Sequence, residues 1–254
     1  MNAELRNTLE QADISKARLQ EIRPLDVEAL QKIKASFEME YTYESNKIEG
    51  NTLTLQETAL VINEGVTISG KSMREHLEVI NHAQAVEFIK EIVSNDIDIT
   101  ERTIKEIHAL VLHGINKEQA GHYRNVPVMI VGSQHTPPQS YLIEPQMERF
   151  IIDYKAMETS GVHPILIAAY LHDELVRIHP FIDGNGRTSR LLMNLYLLSN
   201  GYVITSLKAD NEAKQAYYMT LEESHVANNH EPFYLLVARA VNDSLNKYLR
   251  IIEG

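Results

Sequence analysis

The segment from Ile178 to Arg190 holds the side chains of this 254-residue chain that are best suited to chemistry. Its sequence is Ile-His-Pro-Phe-Ile-Asp-Gly-Asn-Gly-Arg-Thr-Ser-Arg. His179 supplies an imidazole, whose ordinary pKa of about 6.5 suits a general base near neutral pH. Asp183 supplies a carboxylate that could hold Mg²⁺ beside a polyphosphate, since this ion prefers one or two carboxylates together with phosphate oxygens.

The second half of this segment predicts an anion-binding loop. Gly184, Asn185 and Gly186 precede a long apolar helix, so N–H groups of the loop and the helix N-terminus would converge on one spot and favour a phosphate. The glycines let the backbone approach that phosphate without an intervening Cβ. Arg187 and Arg190 share one face of the first helical turn, where two guanidinium groups can bind phosphate oxygens. The segment therefore predicts a nucleoside triphosphate site with a base beside it.

The composition is that of a globular protein without nucleic-acid or membrane partners. Hydrophobic residues make up 44% and charged residues 23% of the chain, which is ordinary for a folded domain. The net charge of −11 opposes binding to a nucleic-acid backbone. The chain has no cysteine, which excludes disulfides and thiolate metal sites. A polar N-terminus and the lack of an apolar run of about 18 residues predict a cytoplasmic protein.

The hydrophobic pattern predicts an all-α fold with one β-hairpin. Apolar residues recur at helical spacing through most of the chain. Two helices in the first 50 residues are separated at Arg23-Pro24, and Thr54-x-x-Glu57 is a capping box that opens the next. Further helices are predicted at about 73–94, 100–113, 144–157, 164–178, 186–199, 211–224 and 231–252. Two β-rich runs joined by a Gly/Pro loop predict the hairpin at about 126–143, with Pro127 confining the first run to a sheet edge.

Residues 65–72 match the phosphate-binding pattern of Walker-type nucleotide hydrolases letter for letter. The same residues also fit a connection between helices, because Gly65 would close one helix and Ser72-x-x-Glu75 would open the next. The β-branched interior and the absence of alternating strands and helices favour the connection. A Walker-type hydrolase that uses Gly65 to Ser72 is nevertheless an alternative, and a catalytically silent helical interaction module is another.

The sequence from His179 to Arg190 meets every position of HPFx(D/E)GNGRxxR and so resembles the motif of the Fic/DOC family of protein adenylyltransferases. The similarity extends from about residue 48 to residue 233. It implies the Fic fold, a helical bundle with a hairpin flap. The catalytic core would span 100–254, and an N-terminal region at 1–99 would carry an inhibitory helix at about 26–50.

The resemblance implies transfer of AMP from ATP to a Ser, Thr or Tyr hydroxyl of a target protein, with release of pyrophosphate. The residues of the catalytic step would be His179, Asp183, Asn185 and Arg187. His179 would take the proton of the attacking hydroxyl, and Asp183 would hold Mg²⁺ or Mn²⁺. The remaining loop residues would contact the phosphates: Gly184, Asn185, Gly186, Arg187 and, at the γ-phosphate, Arg190.

The resemblance also gives roles to two segments outside the loop. The hairpin would be a flap whose edge pairs with the target protein by strand addition. Its residues nearest the nucleotide would be Val131, Gly132, Ser133 and Gln134. Tyr217 and Tyr218 resemble a tyrosine pair beside the adenine ring, although a core aromatic pair is the alternative. An asparagine that follows the pair in relatives has two candidate counterparts, His225 and Asn228.

The sequence Ser45-Asn-Lys-Ile-Glu49-Gly50 resembles the inhibitory motif (S/T)xxxE(G/N) of the family. Its glutamate would pair with Arg190 in the position of the γ-phosphate, so the resting enzyme would be inactive. The alternative is an ordinary glutamate at a helix C-terminus. Glu49 could also position water for the reverse reaction, the removal of AMP.

Transfer of phosphocholine or phosphate is a further alternative within the family, although relatives that transfer phosphate carry lysine at the position of Gly186. The resemblance to the family also suggests that this protein forms a homodimer.

Overall fold

The computed structural model of the chain describes residues 1–22 and 27–253. These residues form ten α-helices: α1 (Ala3–Glu21), α2 (Val27–Ile48), α3 (Leu55–Glu64), α4 (Met73–Ser94), α5 (Glu101–Val111), α6 (Ile143–Thr159), α7 (Pro164–Ile178), α8 (Asn185–Ser199), α9 (Asn211–Ala227) and α10 (Glu231–Glu253). A short 3₁₀ helix, Ser140–Leu142, precedes α6. The predicted all-α class is confirmed for these residues, and the predicted break at Arg23-Pro24 lies outside them.

Capping residues fix the helix ends in the first third of the chain. The Thr54 hydroxyl accepts the Glu57 N–H at 3.2 Å, and the Glu57 carboxylate accepts the Thr54 N–H at 2.8 Å. Ser72 and Glu75 form the same reciprocal pair at the start of α4. Gly65, with φ 64°, closes α3 in the left-handed conformation. Local side-chain chemistry therefore sets these boundaries, as the sequence pattern predicted.

The Walker-like segment at 65–72 is a connection between α3 and α4. Lys71, which a phosphate-binding loop would direct at a nucleotide, donates instead to the carbonyl oxygen of Thr52 at 2.6 Å and to its hydroxyl at 2.9 Å. The element before the segment is a helix rather than the buried strand that such a loop requires. The segment therefore serves helix packing, and the Walker-type alternative has no structural support.

Helices α7 and α8 form the centre of the fold. They pack against each other, and α8 also contacts α2, α4 and α5. Almost every residue of α8 from Asn185 to Leu197 is buried. The loop between them, residues 179–184, is therefore held at both ends by core helices. α1 packs along α10 at the periphery, and Leu5 and Leu9 of α1 join the same hydrophobic core.

The predicted hairpin at 126–143 is not formed as two paired strands. The described part of the chain contains no β-strand, and this segment has an irregular backbone up to the 3₁₀ helix. Its one turn is closed by the Ser133 N–H, which donates to the Ile130 carbonyl at 3.2 Å. Pro127, Pro137 and Pro138 each lack the N–H that a strand ladder needs. We call residues 126–139 the flap.

No helix in the described ranges is both long and apolar enough to cross a membrane.

Candidate active site

His179 is held in an unusual backbone conformation at the end of α7. Its φ of 51° and ψ of 55° are left-handed, and its N–H donates to the Leu175 carbonyl at 3.0 Å, which closes the helix. The Nδ1 atom lies 3.3 Å from the Val176 carbonyl, so Nδ1 carries the proton and Nε2 is the proton acceptor. The pKa of His179 is lowered to about 4, chiefly by burial and in smaller part by the Arg124 charge, against the opposing effects of the Val176 bond and of Glu49. The ring is therefore neutral at pH 7, as a general base must be.

The Asp183 carboxylate is shared among three donors. Oδ1 accepts the Gly184 N–H at 2.6 Å and Arg187 Nη2 at 3.1 Å. Oδ2 accepts Arg74 Nη2 at 2.5 Å. Burial raises the pKa of this carboxyl, but Arg187, Arg74 and the Gly184 N–H more than reverse the effect and leave it lowered. The group is thus a carboxylate, 40% exposed, at the mouth of the loop.

The Asn185 side chain closes the loop on itself. Its Nδ2 donates to the Phe181 carbonyl at 2.9 Å, and its Oδ1 accepts the Phe181 N–H at 3.0 Å. The phosphate contact predicted for Asn185 would therefore come from its main-chain N–H at the start of α8. His108 supports the same loop, since its ring stacks on Phe181 at 3.6 Å and its Nε2 bonds to the Asp183 carbonyl at 2.9 Å. From sequence this histidine was expected only to pack or to lie on the surface, and no motif indicated its contact with the loop.

Gly186 allows the side chain of Glu49 to approach the backbone closely at the N-terminus of α8. A Cβ atom on this residue would lie 2.3 Å from Glu49 Oε1 and 3.1 Å from Arg190 Nη1. The first distance is far below van der Waals contact, so only glycine allows the carboxylate to lie there. The Glu49 carboxylate therefore occupies the position where the helix N-terminus favours an anion.

Arg190 is the partner that holds this carboxylate. Its side chain is 1% exposed, and Nη2 donates to Glu49 Oε1 at 2.7 Å. Nε donates to the Ser45 hydroxyl at 2.9 Å, and Nη2 also donates to the Ser45 carbonyl at 2.8 Å. Burial alone would lower the pKa of Arg190, but Glu49 and Tyr217 leave it raised. The structure thus brings together Ser45, Glu49 and Arg190, the three residues of the predicted inhibitory contact.

Arg187 retains unused hydrogen-bond donors. Its side chain is 3% exposed, and its Nη1 atom forms an ion pair with Glu78 Oε1 at 3.4 Å that is not a hydrogen bond. Nε and Nη1 have no hydrogen-bond partner in the described part of the chain. Buried donors are rarely left unpaired, and a phosphate oxygen is the acceptor that a guanidinium of this geometry suits.

A cavity of about 480 Å³ lies between the loop, the flap and α9. Its size suits a nucleoside. It brings together residues predicted separately from the sequence: Val131, Gly132, Ser133, His179, Gly186, Tyr217 and Tyr218. Gln134 stays outside the lining, although its N–H donates to Glu222 Oε1 at 2.7 Å. A second cavity of about 480 Å³, between α2, α9 and α10, touches the back of Tyr217 and contains no residue of the loop.

The two tyrosines of α9 differ in their environments. Tyr217 is 3% exposed, and its hydroxyl accepts Arg190 Nη1 at 3.2 Å. Tyr218 is 46% exposed, and its hydroxyl donates to the Ile48 carbonyl at 3.2 Å. Tyr218 therefore offers the more open ring face to a base, whereas Tyr217 supports Arg190. Farther along α9, His225 lines the cavity.

Glu222 connects the flap turn to α9. Its carboxylate accepts the Ser133 hydroxyl and the Gln134 N–H. Burial raises the pKa of Glu222, but the bonds from Ser133 and Gln134 leave it lowered. The sequence analysis missed this residue, because a glutamate on an amphipathic helix has no local sign of such a contact. Asn228, the second candidate counterpart of the family's asparagine, caps α9 with φ 55° and does not line the cavity.

Comparisons with known proteins agree with this geometry. The family model described as the Fic/DOC family matches residues 98–197. A protein from Drosophila persimilis named Protein adenylyltransferase Fic is 34% identical over 221 residues, which cover 87% of this chain and 42% of the fly protein. A relative of the same name from Drosophila melanogaster is also 34% identical, with 44% of its length covered. The chain thus spans less than half the length of these relatives.

Solved structures give the same result for the fold. A segment of Fic-1 from C. elegans superimposes with a TM-score of 0.87 at 31% identity, over 98% of this chain and 73% of that one. A Fic domain containing signaling protein from Bacteroides thetaiotaomicron superimposes with a TM-score of 0.84 at 27% identity, over 97% of both chains. Similarity in sequence and fold over nearly the whole length leads to one conclusion: this chain belongs to the Fic/DOC family.

Proposed function

We propose that this chain is a protein adenylyltransferase, which transfers AMP from ATP to a hydroxyl of a target protein. The observation that carries the proposal is the Glu49 carboxylate, which lies on Gly186 against Arg190 and so marks an anion position. That position and the neutral His179 line the same nucleoside-sized cavity. The name of the fly relatives, which this chain covers only in part, supports the same activity.

In this proposal the target hydroxyl attacks the α-phosphorus of ATP. A bond forms from the hydroxyl oxygen to phosphorus, and the bond from the α-phosphorus to the bridging oxygen of the β-phosphate breaks. The hydroxyl proton passes to His179 Nε2, the free acceptor, and pyrophosphate leaves with the electron pair of the broken bond. Arg190 and the Arg187 Nε and Nη1 atoms, which make no hydrogen bond within the described residues, stabilise the phosphate charge. Positioning and charge stabilisation supply most of the rate enhancement in reactions of this type.

Mg²⁺ or Mn²⁺ belongs to this proposal as the ion that Asp183 holds. No group of three or more His, Asp or Glu side chains could form a metal site in the described ranges, so phosphate oxygens would complete the ligand set, as Mg²⁺ prefers. The Asp183 Oδ2 atom accepts a hydrogen bond from Arg74, whose side chain is 56% exposed and also pairs with Glu78, so a bound ion would replace this contact to Asp183. The bound ion would neutralise phosphate charge.

The flap is the proposed docking site of the target. Met129 is 89% exposed and Val131 fully exposed, and their alternate positions suit the side-chain pockets of a strand-addition complex. The flap has no strand partner of its own, so the main-chain groups around Met129, between the bonded ends and the turn, would be open to a target segment. Val131 also lines the cavity, which would bring the target close to the nucleotide.

Glu49 is the proposed inhibitor of the resting enzyme. A carboxylate and a γ-phosphate cannot share the Arg190 guanidinium and the space above Gly186, so ATP must displace Glu49 to bind in full. Residues 1–99 would then be a regulatory region rather than a separate folding unit, since α1 and α2 contribute to the same core as residues 100–253. A homodimer and a cytoplasmic location stay predictions.

Radiolabelled ATP tests the adenylyltransferase activity and the inhibition by Glu49 together. With the α-phosphate labelled and Mg²⁺ present, we expect Glu49→Gly to label itself or added proteins at least about tenfold faster than the wild type, which corresponds to a wild-type open fraction below about one in ten. Glu49→Gly combined with His179→Ala should transfer no label. If neither the wild type nor Glu49→Gly transfers label, inhibition by Glu49 is contradicted. If the protein with His179→Ala transfers label, the assignment of His179 as the base is contradicted. Mass spectrometry of the product separates AMP from phosphate.

A further inference from the structure

Arg124 makes contacts that the proposed mechanism does not use. Its side chain is buried, with the residue 2% exposed. Its guanidinium donates from Nε to the His179 carbonyl at 2.8 Å, from Nη1 to the Val126 carbonyl at 2.9 Å and from Nη2 to the Pro138 carbonyl at 2.6 Å. Its main-chain N–H donates to the Pro180 carbonyl at 2.9 Å.

Burying a guanidinium among carbonyl oxygens is unfavourable in free energy, because the charge loses its hydration without gaining an opposite charge. Buried charges are usually paired with opposite charges, whereas every hydrogen-bond partner of Arg124 within the described residues is a main-chain carbonyl. Burial accordingly lowers the pKa of Arg124. A planar group with donors in three directions can hold three carbonyls at once, which the single ammonium group of lysine cannot do in the same geometry.

The three carbonyls join two parts of the site. Val126 and Pro138 lie at the two ends of the flap, which has no strand ladder to hold its arms together. His179 is the proposed base, in a left-handed conformation that is uncommon for residues other than glycine. Arg124 therefore ties both ends of the flap to each other and to the backbone of His179. The distal part of the flap is held separately, by Glu222 and by His135, whose Nε2 bonds to the Arg177 carbonyl at 2.8 Å.

We propose that Arg124 is a positioning residue that fixes the flap relative to His179 and so sets the distance between the target hydroxyl and the base. The proposal rests on the proposed function in its catalytic part only. Its structural part, the attachment of the flap ends, holds whatever reaction the site performs. The nucleotide is bound by the loop, Arg190 and α9, and the flap turn above it is held by Glu222 rather than by Arg124, so the affinity for nucleotide should not depend on Arg124.

The activity test compares Arg124→Gln and Arg124→Lys in the Glu49→Gly background, where turnover is measurable. Misplacement by about 1 Å can cost about a hundredfold in rate, so we expect kcat for target modification to fall about a hundredfold in both. The Kd of a non-hydrolysable ATP analogue should change less than about twofold. Arg177→Gln is the matched control, because Arg177 is a nearby cation that pairs with Glu174 and contacts the flap only through its main chain. It should retain kcat.

Two readouts separate positioning from a general structural role. The Arg124 charge opposes protonation of His179, so its loss in Arg124→Gln should move the acid limb of the pH–rate profile to higher pH, whereas Arg124→Lys should retain the limb. Hydrogen exchange without nucleotide should speed up at the flap ends, 126–129 and 136–139, in both variants. A kcat within about twofold of the Glu49→Gly parent, or a loss of ATP-analogue binding along with kcat, would overturn the proposal.

Hydrogen exchange also separates this proposal from the proposed function. If the Glu49→Gly parent transfers no AMP, the adenylyltransferase proposal fails, and flap exchange still decides whether Arg124 attaches the flap. Unchanged exchange at the flap ends, 126–129 and 136–139, in both Arg124 variants would reject the attachment.

Discussion

Gly186 shows how one absent Cβ governs which anion lies at the start of α8. The Glu49 carboxylate fills the space that a methyl group would take, and a phosphate would need the same space. The glycine would therefore serve the proposed resting state and the proposed substrate equally. A side chain here would disfavour both anions, whereas removal of Glu49 would disfavour only one.

We predict that Gly186→Ala in the Glu49→Gly background weakens binding of a non-hydrolysable ATP analogue at least about tenfold. Losing one hydrogen bond to a charged group costs about 1.5–3 kcal/mol, and tenfold corresponds to about 1.4 kcal/mol. Isothermal titration calorimetry measures the change. The unfolding temperature is the control, since alanine inside a helix stabilises and should not lower it. Unchanged affinity would mean that the phosphate lies elsewhere.

The chemistry of single residues was the most predictable part of the site from sequence. Twelve consecutive residues contain His179, Asp183, Gly186 and Arg190, so the loop could be recognised from its local sequence alone. Arg124 and Glu222 had no such pattern, because their partners are main-chain groups and flap atoms that are distant or unremarkable in sequence. Contacts of this kind become visible only when the fold brings them together.

At the scale of elements, the helices followed local rules and the flap did not. Capping boxes, helix-closing glycines and apolar periodicity all act within a few residues, so most helix boundaries fell within about three residues of those predicted. The flap has β-branched residues but also three prolines. Its polar groups bind Arg124 and Glu222 rather than a partner strand. Tertiary contacts thus overrode its local preference for a hairpin.

Glu222 is expected to hold the flap turn over the cavity. We predict that Glu222→Ala accelerates hydrogen exchange of residues 130–135 and raises the Kd of the ATP analogue several-fold, because the loosened turn no longer covers the nucleoside. Glu223→Ala is the matched control: Glu223 is the adjacent, exposed glutamate, and its recorded side-chain bond is to Asn229. Equal exchange in the two variants would rule out Glu222 as the flap contact.

At the scale of the whole molecule, one core joins the N-terminal helices to the loop. Tyr41 and Ile48 of α2 lie in the same cluster as Phe181 and Leu191, so the predicted division at residue 99 does not separate two cores. Several histidines are buried with this core. Burial lowers the pKa of His108 to about 4 and that of His172 to about 3.

These histidines predict loss of stability in mild acid. Their folded-state pKa values lie below the unfolded value of about 6.5, so the unfolded chain binds more protons as pH falls. Stability is therefore full above pH 6.5 and declines toward pH 4, by up to about 1.4 kcal/mol per pH unit for each group. His230 opposes the trend, since Asp173 raises its pKa. Urea unfolding at pH 7.5, 5.5 and 4.5 measures the decline; constant stability would contradict it.

The ion pair between Glu49 and Arg190 joins two residues of the same chain, and this has a consequence for how the proposed inhibition would respond to dilution. The carboxylate is tethered, so its effective concentration at the guanidinium is set by chain geometry and not by the amount of protein. Inhibition should persist unchanged in a highly dilute sample. A small free carboxylate such as acetate, which lacks the tether, should restore little inhibition to Glu49→Gly even at millimolar concentrations.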